Sequence, residues 1–351
     1  MPDGAGAYWR AMSSSPTDQA IGPHSVDAAG CELCGAVATP ITVLRGRDRE
    51  HGVPGEWDLV RCAACELVRI EPMPAVEDIG GFYPDDEYYA HKTSDRTFRP
   101  VQVSAIKRFV LRHRHGYPGG CKGGARAALA GLLSRFVSAK YVLPWVGSGR
   151  LLDVGCGVGA ALWRLRAFGW QVRGVELDDG AAAIGRQHGL DIVTGTLFDA
   201  ALPDAAFDVV RLSHVLEHLP SPLAALREIH RILAPGGQLV MAVPNFDAAG
   251  RQQFGSCWFP LELPRHLFHF TPATMQRLLQ KGGFRPLSMH TASSVEHHAK
   301  SIEQQRREAG DPTPLSRDQR RALGRRIGAQ LRDDDRRMRG DILEVRAVRE
   351  G

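Results

Sequence analysis

The segment from Leu151 to Ala160, LLDVGCGVGA, decides the fold prediction, because an apolar run ends there in Asp153 and breaks into three glycines. Glycine has no Cβ, so the chain can turn sharply and bring a ligand close to the backbone at a helix N-terminus. Residues 155–160 also match the G-x-G-x-x-G/A dinucleotide fingerprint. The turn therefore predicts a nucleotide-like ligand, and a nicotinamide or flavin is one alternative.

Charge favours one of the candidate ligands. Asp153 lies two residues before the first glycine, where a carboxylate repels a pyrophosphate but attracts the ammonium and sulfonium groups of S-adenosyl-L-methionine (AdoMet). Glu176 ends the next apolar run, 21 residues after Gly155, and a carboxylate there can accept both hydroxyls of a ribose. Both ligands contain ribose, so only Asp153 favours AdoMet.

After Arg150, short apolar runs alternate with helix-like segments. This alternation predicts an α/β fold with a parallel sheet covered by helices. Ser221-Pro222 and Thr271-Pro272 each place a capping oxygen before a proline at the first helical position, and we expect the helices that follow to end at APGG and KGG. The alternating stretch ILEVRAV, residues 342–348, predicts a further strand.

Composition divides the chain into five predicted parts. Residues 1–28, rich in Ser, Pro, Gly and Ala, predict a disordered tail, and residues 29–91 predict a small metal-binding module. Residues 92–148 predict a helical connector and residues 149–295 the ligand-binding domain. The mixed charges of residues 296–351 predict one surface helix followed by the last strand.

Four of the seven cysteines form two C-x-x-C pairs that are separated by 27 residues. Two such knuckles supply the four thiolates of a closed, tetrahedral structural zinc site. A redox pair is the alternative, but it would need one pair at a helix N-terminus. We therefore predict a structural zinc ion bound by Cys31, Cys34, Cys62 and Cys65.

Composition also bears on partners and location. The 351 residues carry a formal net charge of +5 and no lysine/arginine block interleaved with aromatics, so nucleic-acid binding has little support. The sequence has no signal-like N-terminus and no long apolar run, which predicts neither secretion nor membrane insertion. Paired cysteines without a disulfide framework fit the reducing cytoplasm. The expected partner is a small molecule, and the sequence does not indicate an oligomeric state.

The glycine turn, the two carboxylates and the strand pattern resemble the class I AdoMet-dependent methyltransferases over about residues 149–295. The resemblance implies a Rossmann-like, seven-stranded sheet whose last strand is antiparallel. It places the adenine-contacting loop at residues 195–197, where Thr196 replaces the aspartate of many members, so the N–H of Leu197 becomes the main expected contact. The implied cofactor residues are Asp153, Gly155, Cys156, Gly157, Gly159, Glu176, Leu177, Thr196, Leu197 and Ser213.

Two further segments resemble bacterial methyltransferases related to the deoxysugar C-methyltransferases. The first is the cysteine module with the following FYPDDEYYAH, residues 82–91, and the second is the W-x-x-L-x-x-P-R-H pattern in WFPLELPRHLFHF, residues 258–270. The resemblance implies a nucleotide-linked sugar or another natural product as the methyl acceptor.

Histidines supply the candidate proton acceptors. HVLEH, residues 214–218, matches the inverted zinc-protease motif H-x-x-E-H, but it follows a predicted strand instead of lying within a helix, which disfavours a metalloprotease. A base that deprotonates the acceptor contributes about 10² to 10⁴ in rate, and histidine titrates in the suitable range. The candidates are His218 and His266, then His214, with Glu217 as the orienting partner and Tyr88 or Tyr89 reaching in from the module.

Two alternatives to methyl transfer remain open from the sequence. A nicotinamide-dependent oxidoreductase would retain a dinucleotide, and a catalytically inactive module would retain AdoMet without turning over an acceptor.

Overall fold

The structure is a computed structural model that describes residues 30–83, 97–120, 123–137 and 142–351. The predicted tail and the predicted roles of Tyr88 and Tyr89 lie outside these residues. The chain forms two compact units. The glycine-turn unit comprises residues 97–120, 123–137, 142–211 and 231–238. The cysteine-histidine unit comprises residues 30–83, 212–230 and 239–351.

The strands of the described residues are numbered in chain order. They are β1 (Ile41–Gly46), β2 (Trp57–Arg61), β3 (Val68–Glu71), β4 (Arg150–Val154), β5 (Gln171–Glu176), β6 (Ile192–Thr194), β7 (Phe207–Ser213), β8 (Leu233–Pro244), β9 (Phe268–His269), β10 (Phe284–Ala292) and β11 (Ile342–Arg349).

The α-helices of the described residues are numbered in the same way. They are α1 (Val76–Ile79), α2 (Ala105–Arg114), α3 (Gly124–Leu133), α4 (Ala160–Ala167), α5 (Asp179–Gln187), α6 (Pro222–Ile232), α7 (Ala249–Phe254), α8 (Pro272–Lys281), α9 (Val295–Glu308) and α10 (Arg317–Arg336). None of the helices in this part of the chain combines the length and the apolar character that a membrane crossing requires.

The larger sheet has seven strands in the order β10-β11-β8-β7-β4-β5-β6. β4 pairs in parallel with β5, and β5 with β6, whereas β11 pairs antiparallel with β10. The predicted seven-stranded α/β fold with a final antiparallel strand is confirmed. β4 and β7 are apolar and almost continuously buried, as expected for strands with helices on both faces.

Local capping explains where the helices begin. α8 starts at Pro272 behind Thr271, whose side chain accepts from the N–H of Thr274 while Thr274 bonds back to it. α6 starts at Pro222 as predicted, but it ends at Ile232, before the predicted stop at APGG. The LAPGG segment instead opens β8, so the helix is shorter and the strand longer than the sequence pattern indicated.

The smaller sheet has the order β1-β2-β3-β9, and the cysteine module supplies most of its strands. Its first three strands come from residues 41–71, and β9, residues 268–269, adds an antiparallel fourth strand from a distant part of the chain. The sheet is therefore completed by residues outside the predicted 29–91 module.

The prediction of a single surface helix after residue 296 is wrong. Two helices, α9 and α10, are separated by a segment that contains Pro312 and Pro314, and α10 begins at a capping box formed by Ser316 and Gln319. α9 also buries polar residues, because His298, Ser301 and Gln304 are all less than 9% exposed. Gly310, with a left-handed φ of 89°, ends the first helix, and the N–H groups of Gly310 and Asp311 donate to the carbonyls of Arg307 and Arg306.

Candidate active site

The glycine turn follows β4 and leads into α4 with left-handed backbone at each glycine. Gly155, Gly157 and Gly159 have φ values of 66°, 55° and 81°. A Cβ on Gly159 would lie 2.4 Å from Cδ1 of Leu190, so this position excludes any side chain. The N–H groups of Gly155 and Cys156 both donate to the Val175 carbonyl, which ties the turn to β5.

Glu176, at the end of β5, holds the same turn. Its side chain is buried, and its two oxygens accept the N–H of Gly157 at 2.6 Å and of Asp178 at 3.0 Å. Burial raises the pKa of Glu176, while these backbone bonds act to lower it. A carboxylate has about four acceptor sites, so two oxygens with one bond each can still accept ribose hydroxyls.

Asp153 is paired with a residue that sequence reasoning missed. Arg211, on β7, donates from Nη1 to Oδ1 of Asp153 at 2.7 Å. Arg211 therefore balances the negative charge that the sequence indicated at Asp153, which is a correction to that prediction. The other oxygen, Oδ2, is buried and has no hydrogen-bond partner among the described residues, and burial raises the pKa of Asp153. An arginine inside the apolar strand FDVVRLS was the available signal for this pair.

The predicted adenine loop is internally bonded. The Thr196 hydroxyl accepts the N–H groups of Phe198 and Asp199, and the Asp199 carboxylate accepts the N–H of Thr196. Thr196 and Leu197 are both 4% exposed, whereas Leu177 and Cys156 are half-buried. These residues share the glycine-turn unit. Ser213 ends β7 and belongs to the cysteine-histidine unit.

The candidate catalytic residues all lie in the cysteine-histidine unit. Glu217 and His218 occupy a short 3₁₀ turn, Leu216–His218, directly after β7. This geometry contradicts the metalloprotease alternative, which needs the motif on an α-helix. The rings of His218 and His266 are 4.5 Å apart in an edge-to-face arrangement. The structure thus brings together the two histidines that the sequence favoured.

Backbone carbonyls fix the tautomers of both histidines. Nδ1 of His266 lies 2.9 Å from the Pro260 carbonyl, and Nδ1 of His218 lies 3.1 Å from the Arg265 carbonyl. A carbonyl only accepts, so each Nδ1 carries the hydrogen and each Nε2 keeps its lone pair. Burial lowers the pKa of His218 to about 4 and that of His266 to about 3. Both rings are neutral bases near pH 7.

Glu217 is the least satisfied group of the cluster. Its side chain is 1% exposed, and within the described part of the chain neither carboxylate oxygen has a hydrogen-bond partner. Nδ1 of His214 is 3.3 Å from Oε1 of Glu217, close enough for an electrostatic contact. His214 itself has a φ of 56°, a left-handed backbone that is uncommon for a residue with a side chain.

Two residues that the sequence pattern did not indicate, Tyr83 and Asp48, hold the surroundings of His218 in place. The Tyr83 hydroxyl lies 2.9 Å from Nδ1 of His218. Arg265, whose carbonyl accepts from His218, forms a two-pronged buried ion pair with Asp48 at 3.1 Å for each contact. Asp48 lies in the polar loop after β1, where nothing in the sequence pattern marked it.

Two other side chains of residues 258–270, those of Trp258 and His269, make contacts that stabilise the fold. Trp258 is buried and donates from Nε1 to Asp341 at 3.2 Å. His269, on β9, packs against Phe246, and its Nε2 is buried without a partner.

The four paired cysteines converge at one point. Sγ of Cys31 lies 3.4 Å from Sγ of Cys65, and Sγ of Cys34 lies 3.7 Å from Sγ of Cys62. The two knuckles share one backbone pattern, in which the first cysteine accepts an N–H from the residue four positions later, which has a positive φ. Burial alone would raise the pKa of Cys62, but N–H groups of Cys65 and Ala64 help to lower it to about 7.

Residues 124–289 match the family model described as "Methyltransferase domain". The match covers a little less than half of the chain. The prediction of a class I AdoMet-dependent methyltransferase fold is confirmed for the methyltransferase domain, and the match favours this interpretation over the nicotinamide alternative.

Two of the relatives of this domain are bacterial O-methyltransferases. The malonyl-[acyl-carrier protein] O-methyltransferase of Serratia marcescens is 33% identical over 132 residues, which are 36% of this chain and 50% of that protein. The ubiquinone biosynthesis O-methyltransferase of Xanthomonas oryzae pv. oryzae is 33% identical over 144 residues, 38% of this chain and 59% of that protein. The chain therefore spans little more than half the length of these relatives.

Solved structures include an S-adenosylmethionine-dependent methyltransferase from Mesorhizobium loti. It is 21% identical, the alignment covers 65% of this chain and 99% of that one, and the TM-score is 0.42.

Proposed function

We propose that this protein transfers a methyl group from AdoMet to a small-molecule acceptor, with the histidine cluster removing the acceptor's proton. The observation that carries the proposal is the glycine turn, in which three left-handed glycines are joined to the buried carboxylate of Glu176 within a methyltransferase domain. A packing turn does not need a buried carboxylate at that place, and the match to the methyltransferase family model favours AdoMet over a dinucleotide.

The chemistry of the donor set fits AdoMet. Oδ2 of Asp153 is a buried acceptor without a donor, and an ammonium group supplies such a donor. Glu176 keeps free acceptor sites for ribose hydroxyls, and the loop at Thr196 and Leu197 is the candidate adenine contact. When bound, AdoMet supplies an electrophilic methyl group on a sulfonium.

Within the histidine cluster, His218 is the proposed proton acceptor. Its Nδ1–H is fixed by the Arg265 carbonyl, so Nε2 is the nitrogen that can take a proton from the acceptor. The buried carboxylate of Glu217 stabilises the imidazolium that forms, and the Tyr83 hydroxyl contacts the same Nδ1 as the Arg265 carbonyl. His266 is the second candidate base, because its Nε2 also keeps a lone pair.

The proposed acceptor is a nucleotide-linked sugar or another polar natural product. This part of the proposal depends on the resemblance to deoxysugar methyltransferases. The two relatives are named as O-methyltransferases, which favours an oxygen acceptor, with an acidic carbon as the alternative. The cytoplasmic location and the lack of a nucleic-acid partner stay predictions.

The cysteine cluster is proposed as a structural zinc site. In a tetrahedral site with Zn–S bonds of about 2.3 Å, sulfur atoms lie about 3.8 Å apart. The measured separations of 3.4 and 3.7 Å match that requirement, and all four ligand atoms lie within 4.8 Å of one another. With four thiolates the coordination shell is full, so the ion stabilises the module and takes no part in methyl transfer.

The experiment has a binding step and a turnover step. Calorimetry should show binding of AdoMet and its demethylated product but not of NADH, and the reverse result would favour an oxidoreductase. Protein incubated with methyl-labelled AdoMet and a metabolite extract should transfer label to a small molecule. His218→Gln should lose that transfer while it keeps AdoMet binding, whereas the exposed control His290→Gln should keep both. Binding without any transfer would favour the inactive-module alternative.

A further inference from the structure

We propose that Glu217, His218 and His266 form a binding site for a divalent transition-metal ion, distinct from the four-cysteine site. One carboxylate oxygen of Glu217 and one ring nitrogen from each histidine lie within 4.8 Å of one another. All three residues belong to the cysteine-histidine unit. A small shift of side chains brings such a set to the bond lengths of about 2.0–2.2 Å that these ions require.

The surroundings of the two histidines match those of metal ligands. A ligating histidine almost always donates its other ring N–H to a carbonyl or a carboxylate, which fixes the ring and leaves the ligating nitrogen bare. His266 does this through the Pro260 carbonyl and His218 through the Arg265 carbonyl. Two histidines of one cluster are therefore oriented by backbone, each with a lone pair on Nε2.

The carboxylate supplies the second, independent observation. Glu217 is 1% exposed, and neither of its oxygens has a hydrogen-bond partner among the residues that the structure describes. A buried carboxylate in that condition is costly unless a cation or a set of donors compensates it. Neutral imidazole nitrogens with bare lone pairs provide no donor, whereas a divalent ion satisfies the carboxylate and both nitrogens together.

A second acidic side chain supports the same conclusion. Oε2 of Glu262 lies 3.7 Å from Nε2 of His266, so an acidic oxygen faces a nitrogen lone pair. Two electron-rich atoms repel each other at that distance unless a proton or a metal ion lies near them. Oε1 of Glu217 likewise has His214 at 3.3 Å, which places a fourth possible ligand at the edge of the cluster.

The ligand chemistry selects the class of ion. Two imidazoles and one carboxylate suit Zn²⁺, Fe²⁺, Co²⁺ or Mn²⁺, whereas Mg²⁺ and Ca²⁺ prefer ligand sets made entirely of oxygen. Three protein ligands leave coordination positions open, and an open position can bind an acceptor oxygen and favour the loss of its proton. This consequence rests on the proposed methyl transfer, while the binding of the ion does not. With the ion bound, the ion takes over the deprotonating role, because His218 cannot accept a proton on the nitrogen that binds the metal.

The test counts metal ions on the full chain. Protein stripped with a chelator under reducing conditions is titrated with Co²⁺, and bound metal is measured by mass spectrometry after gel filtration. Co²⁺ held by thiolates gives an intense charge-transfer absorption, and Co²⁺ held only by nitrogen and oxygen does not. We expect two equivalents in the unsubstituted protein, of which one gives the thiolate absorption.

Variants separate the two sites. Glu217→Gln and His266→Ala should bind the second ion at least about 10-fold more weakly, the scale of effect expected for a disturbed metal site. Both should keep the thiolate absorption, which also reports that the module is folded. Cys62→Ser should do the reverse, and His290→Gln, whose side chain pairs with Glu344 on an exposed strand, should keep two equivalents.

Two outcomes would overturn the proposal. One is a single equivalent in the unsubstituted protein with thiolate absorption throughout, and the other is two equivalents of unchanged affinity in Glu217→Gln. AdoMet binding is measured on the same samples, so loss of the metal proposal with AdoMet binding intact leaves the proposed function standing. Loss of AdoMet binding with the second ion retained would instead remove the proposed function alone.

Discussion

Removing either partner of the buried ion pair between Asp48 and Arg265 should strongly destabilise the protein, and the loss of Asp48 should cost more than the loss of Arg265. The two side chains are 0% and 3% exposed, and the Arg265 guanidinium contacts both Asp48 oxygens at 3.1 Å. Breaking a buried pair by removing one partner costs about 3–5 kcal/mol, because an uncompensated charge remains. The surroundings of each partner then decide which end of that range applies.

Asp48 has substitutes for its partner, and Arg265 does not. In Arg265→Met, the Asp48 carboxylate keeps N–H donors from Glu50, His51 and Val53 at 2.9, 3.2 and 3.0 Å, so we expect the lower end, about 3 kcal/mol. In Asp48→Ala, those three N–H groups lose their acceptor, and among the described residues the guanidinium keeps the Phe82 carbonyl at 3.4 Å as its one acceptor. We expect about 5 kcal/mol for this variant.

The assay is urea unfolding near neutral pH, compared with a matched pair in the same module. Arg45 and Asp58 also form a two-pronged ion pair, at 2.6 and 2.8 Å, but the Arg45 side chain is 65% exposed. Arg45→Met should show no measurable loss of stability, since water already solvates both charges. The reasoning is refuted if Asp48→Ala and Arg45→Met unfold at the same urea concentration, or if Arg265→Met costs more than Asp48→Ala.

Three further predictions concern single positions. Gly159→Ala places a Cβ 2.4 Å from a leucine methyl carbon at a φ of 81°, so calorimetry should show weaker AdoMet binding, and unchanged affinity would mean that the turn tolerates a side chain. Ser316→Ala removes the cap of α10 and should cost about 1 kcal/mol in urea unfolding; equal stability would show that the cap contributes nothing. Burial opposes protonation of His298, but the negative charges of Asp341 and Asp334 raise its pKa above the ordinary value. The ion pair between His298 and Asp341 therefore stabilises the fold fully below about pH 6.5, and this stabilisation is lost as the pH rises through the raised pKa. Between about pH 6 and about pH 8, the melting temperature should therefore fall more in the unsubstituted protein than in His298→Gln. Equal falls in the two proteins would contradict the pairing.

The fold was predictable because its signals are local. Alternating strand and helix patterns, the glycine turn and two proline-capped helix starts are written in consecutive residues, and all of them appear at the expected places. The single predicted helix after residue 296 failed for a local reason as well. Charge pattern alone does not distinguish one long helix from two, whereas the DPTP segment, residues 311–314, is the local signal that separates them.

The candidate site was predictable only in part, because its supporting groups come from distant segments. His218 and His266 were found from their sequence neighbours, and the structure brings their rings together. Tyr83 and Asp48 reach the same cluster from the cysteine module, and no periodicity or spacing connects residues so far apart in the chain. Arg211, although it was missed, had a signal in the sequence, because a charged residue within an apolar strand indicates a buried partner.

The position of β11 between β10 and β8 has a consequence for biosynthesis. The ribosome makes β8 and β10 first, yet the strand that joins them becomes available only when residues 342–349 leave the exit tunnel. Until then, each of these two strands has an edge with unpaired backbone groups that can pair with a neighbouring nascent chain. Closure of this half of the sheet is thus a late, long-range event, and chaperone demand should peak just before it.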